Sequence, residues 1–256
     1  MAVVKAGARC AAAVIAVGLV LGGCVSADAQ TSSQRQSVIE RVVGVLTGKP
    51  GRGPVTQREA EQGMRAALGA AADAAAVRLG AVDGFWGAPQ FKLILPGALG
   101  AAQIRLRAFG MAAPLDDLEL KMNRAAEAAV AQSKPIFLAA VRDLTISDGL
   151  ALLRGGDGSA TAFFRQRTEA QLSNMLRPQL ETAMGQTGAF KAIDVAMERQ
   201  PLLKNLAGDM RKDVVDYANR AALDALYRAM AQEETKLRTD PLARSSAILK
   251  RVFSGA

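Results

Sequence analysis

The chain contains no histidine, only two cysteines, and few aromatic rings, 4% of its 256 residues. Without histidine there is no side chain that titrates near neutrality at its ordinary pKa, and the commonest transition-metal ligand is missing. This excludes serine or cysteine nucleophiles working through a histidine base, and the ferritin-like di-iron pattern that places a histidine three residues after a glutamate. Interleaved aromatics and a concentrated arginine stripe are both lacking, so nucleic acid is not an expected partner. No strand-rich region, internal repeat or long low-complexity tract appears either.

What the N-terminus does have is an export pattern. Lys5 and Arg9 precede the apolar run AAAVIAVGLVL, Ala11 to Leu21, which is too short for a stable membrane span and reads as a cleaved signal. Two processing sites overlap. LGGC, Leu21 to Cys24, resembles the bacterial lipoprotein box, in which the cysteine thiol takes a diacylglycerol and becomes the new N-terminus; ADA, Ala27 to Ala29, resembles an ordinary secretory site. The first abuts the apolar run, which favours lipidation at Cys24 and anchoring to a membrane. Val25 after the cysteine points to the periplasmic face of the outer membrane, and a free periplasmic protein is the alternative. Either cut removes Cys10, so no disulfide forms within the mature chain. Cutting before Cys24 removes Lys5 and Arg9 and takes the formal charge from +8 to +6. Acids and bases then alternate along most of the chain, as on a solvated surface.

The expected fold is all-α: a single compact multi-helix bundle over 56–256, after a signal at 1–23 and a polar tether with one short helix at 24–55. Ser37 with Glu40 opens the short helix, and Thr56 with Glu59 repeats the capping-box spacing. The second helix runs to about Leu79, with Met64, Leu68, Ala72 and Ala75 inward and with Gly69 and the alanines inviting a close neighbour. The stretch AVDGFWGAPQFKLILPGAL, Ala81 to Leu99, carries the only tryptophan; it predicts a turn at Asp83-Gly84, a short extended segment at FKLIL, and a helix after Pro96 ending at Gly110. A helix after Pro114 buries Leu118, Met122, Ala125 and Ala129, with a break or kink at Pro135. Thr145 and Asp148 cap a short helix ending at Gly155-Gly156, and the next helix bends near Pro178. Gly185 and Gly188 flank a turn, Pro201 ends the following helix, and a long one spans about Lys212 to Arg238. A last helix follows DPLAR and ends in ILKRVF.

Three constellations are candidates for chemistry. Glu119, Asn123 and Glu127 recur every four residues and form one polar row, with Arg124 beside it. Such a row is either an oxygen-rich cation site or a half-buried network that fixes helix register; without an aspartate-rich loop the network is the favoured reading, and no metal or cofactor is expected. The second, LLRGGDGSATAFFR, resembles a phosphate cradle at a helix start. The lysine of such loops is missing, no strand precedes the glycines, and Asp157 puts a carboxylate where the phosphate charge would sit, so a tight helix-to-helix turn is expected. Third, Arg165 and Arg167, with Arg154 and Thr161, are a potential anion site, although Glu169 stands one turn from Arg165 as a ready partner. Arg165 is grouped with Asp157 and the Glu119 row as one candidate polar cluster. Asp83, Phe85 and Trp86 are the candidate loop or lid, with core plugging favoured over gating.

RLGAVDGF, LELKMNRAAEAA, ISDGLALLRGGDGSATAFFR, LRPQLETAM and DPLAR with ILKRVF, in this order, resemble the bacterial family known as domain of unknown function 4197. The resemblance covers the chain from about Thr56 onward and implies an exported, predominantly helical protein. It implies no activity and no catalytic residue. The expectation is therefore a lipid-anchored, non-enzymatic binding or structural module with an unknown protein or small-molecule partner. A periplasmic binder of a small amphiphile or anion is the second reading, and a hydrolase using Glu119 and Glu127 the third.

Overall fold

The computed structural model describes residues 53–199 and 209–254. The signal segment, Cys10, Cys24, the helix expected at Ser37, most of the tether and Pro201 lie outside them. The described residues hold eight α-helices and no strand: α1 Gln57–Gly80, α2 Gly97–Arg107, α3 Ala113–Asp143, α4 Gly149–Arg154, α5 Ser159–Thr187, α6 Ala189–Arg199, α7 Met210–Thr239 and α8 Ala247–Phe253, with a single 3-10 turn at Pro241–Ala243 before α8. None of them is long and apolar enough to cross a membrane.

Four long helices form a ring in the order α1, α3, α5, α7. Each packs along its two neighbours and barely meets the one opposite. Polar pairs fix the antiparallel course of α5 and α7: Arg165 with Asp224, Thr168 with Tyr227, and Asn219 with Ser173. The short helices close the sides, α4 and α8 on α1, α6 on α3, and α2 leaning on α3.

Local signals explain most boundaries. Thr56 and Glu59 form the capping box at the start of α1, each side chain meeting the other's backbone N–H. This bonding, led by the Thr56 backbone N–H, holds the Glu59 carboxyl below its ordinary pKa against a smaller effect of burial. Asp148 caps α4 by accepting from Ala151 N, so the cap needs no help from Thr145. Gly110 and Gly188 close helices with φ of 68° and 76°, which glycine adopts without strain.

Two expectations need correction. Of the break or kink expected at Pro135, the break does not occur: α3 runs through the proline to Asp143. A proline removes one ladder bond, and the apolar stripe continues past it through Phe137, Ala140 and Val141, all buried, so packing holds the far half in place. Close approach in α1 does not occur at Gly69, where an added Cβ would meet nothing within 4 Å; it occurs at Gly63 against Val252 and at Gly80 against Ala131. Periodicity placed the glycines on a helix but not its neighbours. Alanines do supply much of the α1 face, with Ala60, Ala67, Ala71, Ala72, Ala75 and Ala76 all buried.

Candidate functional site

The row on α3 faces the 81–96 segment. Glu127 Oε1 accepts from the backbone N–H groups of Phe85 and Trp86, both at 3.1 Å, and Oε2 accepts from Arg124 Nη1 at 2.8 Å. Arg124 reaches on to Asp83 Oδ1 at 2.7 Å. These partners, Glu127 foremost, raise the arginine pKa further against the smaller effect of burial. Asp83 sits at φ 66°, a left-handed conformation that aspartate tolerates better than most residues, so the turn presents two successive N–H groups to one carboxylate.

One turn earlier, Asn123 does what a neighbouring strand would do. Its Oδ1 accepts from Leu93 N and its Nδ2 donates to Leu93 O, both at 2.8 Å, while Nδ2 also reaches Glu119 O. The FKLIL run thus has both polar groups of its central residue satisfied by one buried amide. Glu119 completes the row, accepting from Gln103 Nε2 on α2 at 2.6 Å and pairing with Lys92 at 3.1 Å. The Lys92 ammonium also lies 3.7 Å from the centroid of the Trp86 ring. Glu119, Asn123 and Glu127 are all at most 5% exposed, and both oxygens of each carboxylate are engaged.

Phe85 is fully buried and Trp86 half-buried, so the first ring plugs the core. To act as a lid, the loop would have to give up both backbone bonds to Glu127.

Asp157 and Arg165 do not join this row. Arg165 pairs with Glu169 at 3.0 Å and Asp224 at 2.9 Å, and stacks 5.2 Å from the Tyr227 ring centroid. Asp157 is exposed. The α5 N-terminus still receives an anion, from an unexpected source: Glu234, on α7. Its carboxylate accepts from Ala160 N at 3.1 Å, Thr161 N at 2.8 Å and the Thr161 hydroxyl at 2.7 Å. This corrects the assignment of Asp157 to that role; Gly158, at φ 77°, caps the helix without a side chain. The geometry is that of an anion cradle already filled by the protein.

Arg238, one turn along α7, pairs with Glu234 at 2.8 Å and donates to Leu152 O, Leu153 O and Gly155 O and to Ser159 Oγ. One buried ion pair therefore serves both sides of the glycine turn, the N–H end of α5 and the carbonyl end of α4. Sequence reading passed over Glu234 and Arg238 because acid-before-base pairs four apart recur along α7. The signal was positional: Leu226, Met230 and Glu234 follow one another at four-residue spacing, which puts a carboxylate on the apolar stripe.

An open cleft of about 410 Å³ lies between the start of α2 and the first turns of α7, bordered by Leu99, Asp213, Asp216, Tyr217 and Arg220. No group of three or more acidic or cysteine side chains among the described residues is arranged to hold a metal ion.

The fold and these networks define a class: an all-helical bundle whose buried polar side chains fasten loops and helix ends. The chain belongs to the family described as protein of unknown function (DUF4197), whose model matches residues 54–254. No curated protein and no solved structure matches it.

Proposed function

We propose that the protein is a non-enzymatic module of the bacterial cell envelope, exported and held to a membrane by lipid at Cys24, with the helical bundle as a binding or structural body. One observation carries the non-enzymatic part: every oxygen of the Glu119 and Glu127 carboxylates is committed to a backbone N–H, an amide or a cation of the same chain. A carboxylate with both oxygens engaged in this way has none turned toward a substrate, and its bonds do structural service. The same applies to Glu234, whose ligands are a helix end and Arg238. The export part is supported by the basic start, the apolar run and the LGGC box.

Acyl labelling with cell fractionation tests the anchor. The mature protein should carry lipid at Cys24 and sediment with the outer membrane, and Cys24→Ser should release it. A lipid-free N-terminus at Gln30 would refute the anchor. For the body, Glu119→Gln and Glu127→Gln should lower Tm while leaving the rescue of any deletion phenotype intact; loss of rescue in a folded variant would favour chemistry at the row.

A further inference from the structure

Among the described residues, two strongly exposed large apolar side chains stand five positions apart, Ile104 and Phe109, and the networks above do not explain them. On α2, Leu99, Ala102, Gln103 and Leu106 face inward, while Ala101, Ile104, Arg105 and Ala108 face out. Ile104 is 71% exposed and Phe109, just beyond the helix, 75%. Large apolar side chains left this open to water on one short stretch mark a surface that can meet a partner.

The charge around them says what. From Gly97 to Pro114, GALGAAQIRLRAFGMAAP, there is no acidic residue, and Arg105 and Arg107 are the only charges. Over this span the sign of charge is single. Arg107 is bound to Asp116, and Arg105 makes no ion pair among the described residues. An exposed isoleucine and phenylalanine beside a free guanidinium suit the boundary of an anionic lipid layer, where rings and methyls enter the acyl region and arginine meets phosphate.

We infer that the outward face of α2 docks on an anionic phospholipid surface, with Ile104 and Phe109 inserting and Arg105 binding headgroup phosphate. The inference rests on the membrane reading above for its setting. It gives the lipid anchor a second contact on the same surface, one that the bundle makes without the anchor.

The test uses the mature chain from residue 24 with Cys24→Ser, so that no acyl chain contributes, and measures co-sedimentation with vesicles. Binding is expected to phosphatidylglycerol–phosphatidylethanolamine vesicles, to weaken with added salt, and to be absent from phosphatidylcholine vesicles. Ile104→Asp with Phe109→Asp should reduce it at least about tenfold, and Arg105→Glu by on the order of tenfold. Both variants should melt with the parent, because the altered side chains are exposed. Anionic-vesicle binding that neither variant alters overturns the inference, as does no vesicle binding at all. Self-association in solution that the Ile104→Asp, Phe109→Asp variant abolishes would also overturn it, assigning the face to a second copy. Failure of the anchor shows separately, as an unlipidated N-terminus in cells.

Discussion

Removing the Glu234 carboxylate should cost more than any other single charge deletion in the bundle. Glu234 is 1% exposed and Arg238 10%, so water cannot take over for either. With Glu234→Ala, the amides of Ala160 and Thr161 and the Thr161 hydroxyl lose their acceptor, and Arg238 is left as a buried cation without a counter-charge. Breaking a buried pair from one side costs about 3–5 kcal/mol. For a domain of this size that is a fall in Tm of roughly 6–20 °C. The exposed pair Asp117–Lys121 gives the contrast: Asp117→Ala should cost no more than about 0.5 kcal/mol. Urea titration followed by circular dichroism at 222 nm, with the pair compared at low and high salt, measures both. The double variant Glu234→Leu, Arg238→Met is the sharper arm. An isolated buried pair often regains its stability when both members become apolar. Here the carbonyls of Leu153 and Gly155 and the two amides stay orphaned, so the double variant should remain at least about 2 kcal/mol below the parent. A double variant as stable as the parent would refute the claim that the pair acts by closing two helix ends.

Asn123→Ala should destabilise by about 2–3 kcal/mol, since both polar groups of Leu93 lose their partner, and hydrogen exchange at the Leu93 amide should quicken sharply. Glu127→Gln should shift Trp86 emission to the red as the 81–96 segment loosens; unchanged emission would argue against the row as a fastener. Gly149→Ala should fail to pack without backbone movement, because its Cβ would stand 2.5 Å from Glu61 N, and a loss below about 1 kcal/mol by denaturant titration would contradict that contact. Both tyrosines, Tyr217 and Tyr227, have pKa values raised chiefly by burial. A raised folded value favours the neutral ring, so this stability is complete below the unfolded pKa of about 10 and is lost as pH climbs through the raised values. Absorbance at 295 nm should show tyrosinate appearing only above the ordinary range, together with unfolding; titration near 10 in the folded state would count against it.

Much of the fold was legible because it follows from short-range chemistry. Caps at Thr56 and Asp148, the stop at Gly110, and stripes such as Leu118, Met122, Ala125 and Ala129 depend on residues within a few positions of one another, whereas the turn expected from Gly185 to Gly188 narrows to Gly188 because the helix runs through Gly185. The continuity of α3 through Pro135 was not legible, for the complementary reason. The proline's local effect is unfavourable, and the burial that overrides it comes from helices far away in sequence.

The polar side chains show the same divide at higher stakes. Glu119, Asn123 and Glu127 could be found, since a repeat of four on one helix announces a face; their partners could not, because nothing local says that the Leu93 backbone, 30 positions back, will lie against Asn123. At the glycine turn the need for an anion was legible and its owner was not. Asp157 is adjacent to the helix start, but an exposed carboxylate there competes with water. Glu234 is 73 positions from Thr161, yet arrives on a rigid helix, desolvated and oriented by Arg238. A charged residue in register with a buried stripe is therefore the more informative mark. Desolvation there has to be repaid by definite bonds, and the bonds it finds join helices that the chain order keeps apart.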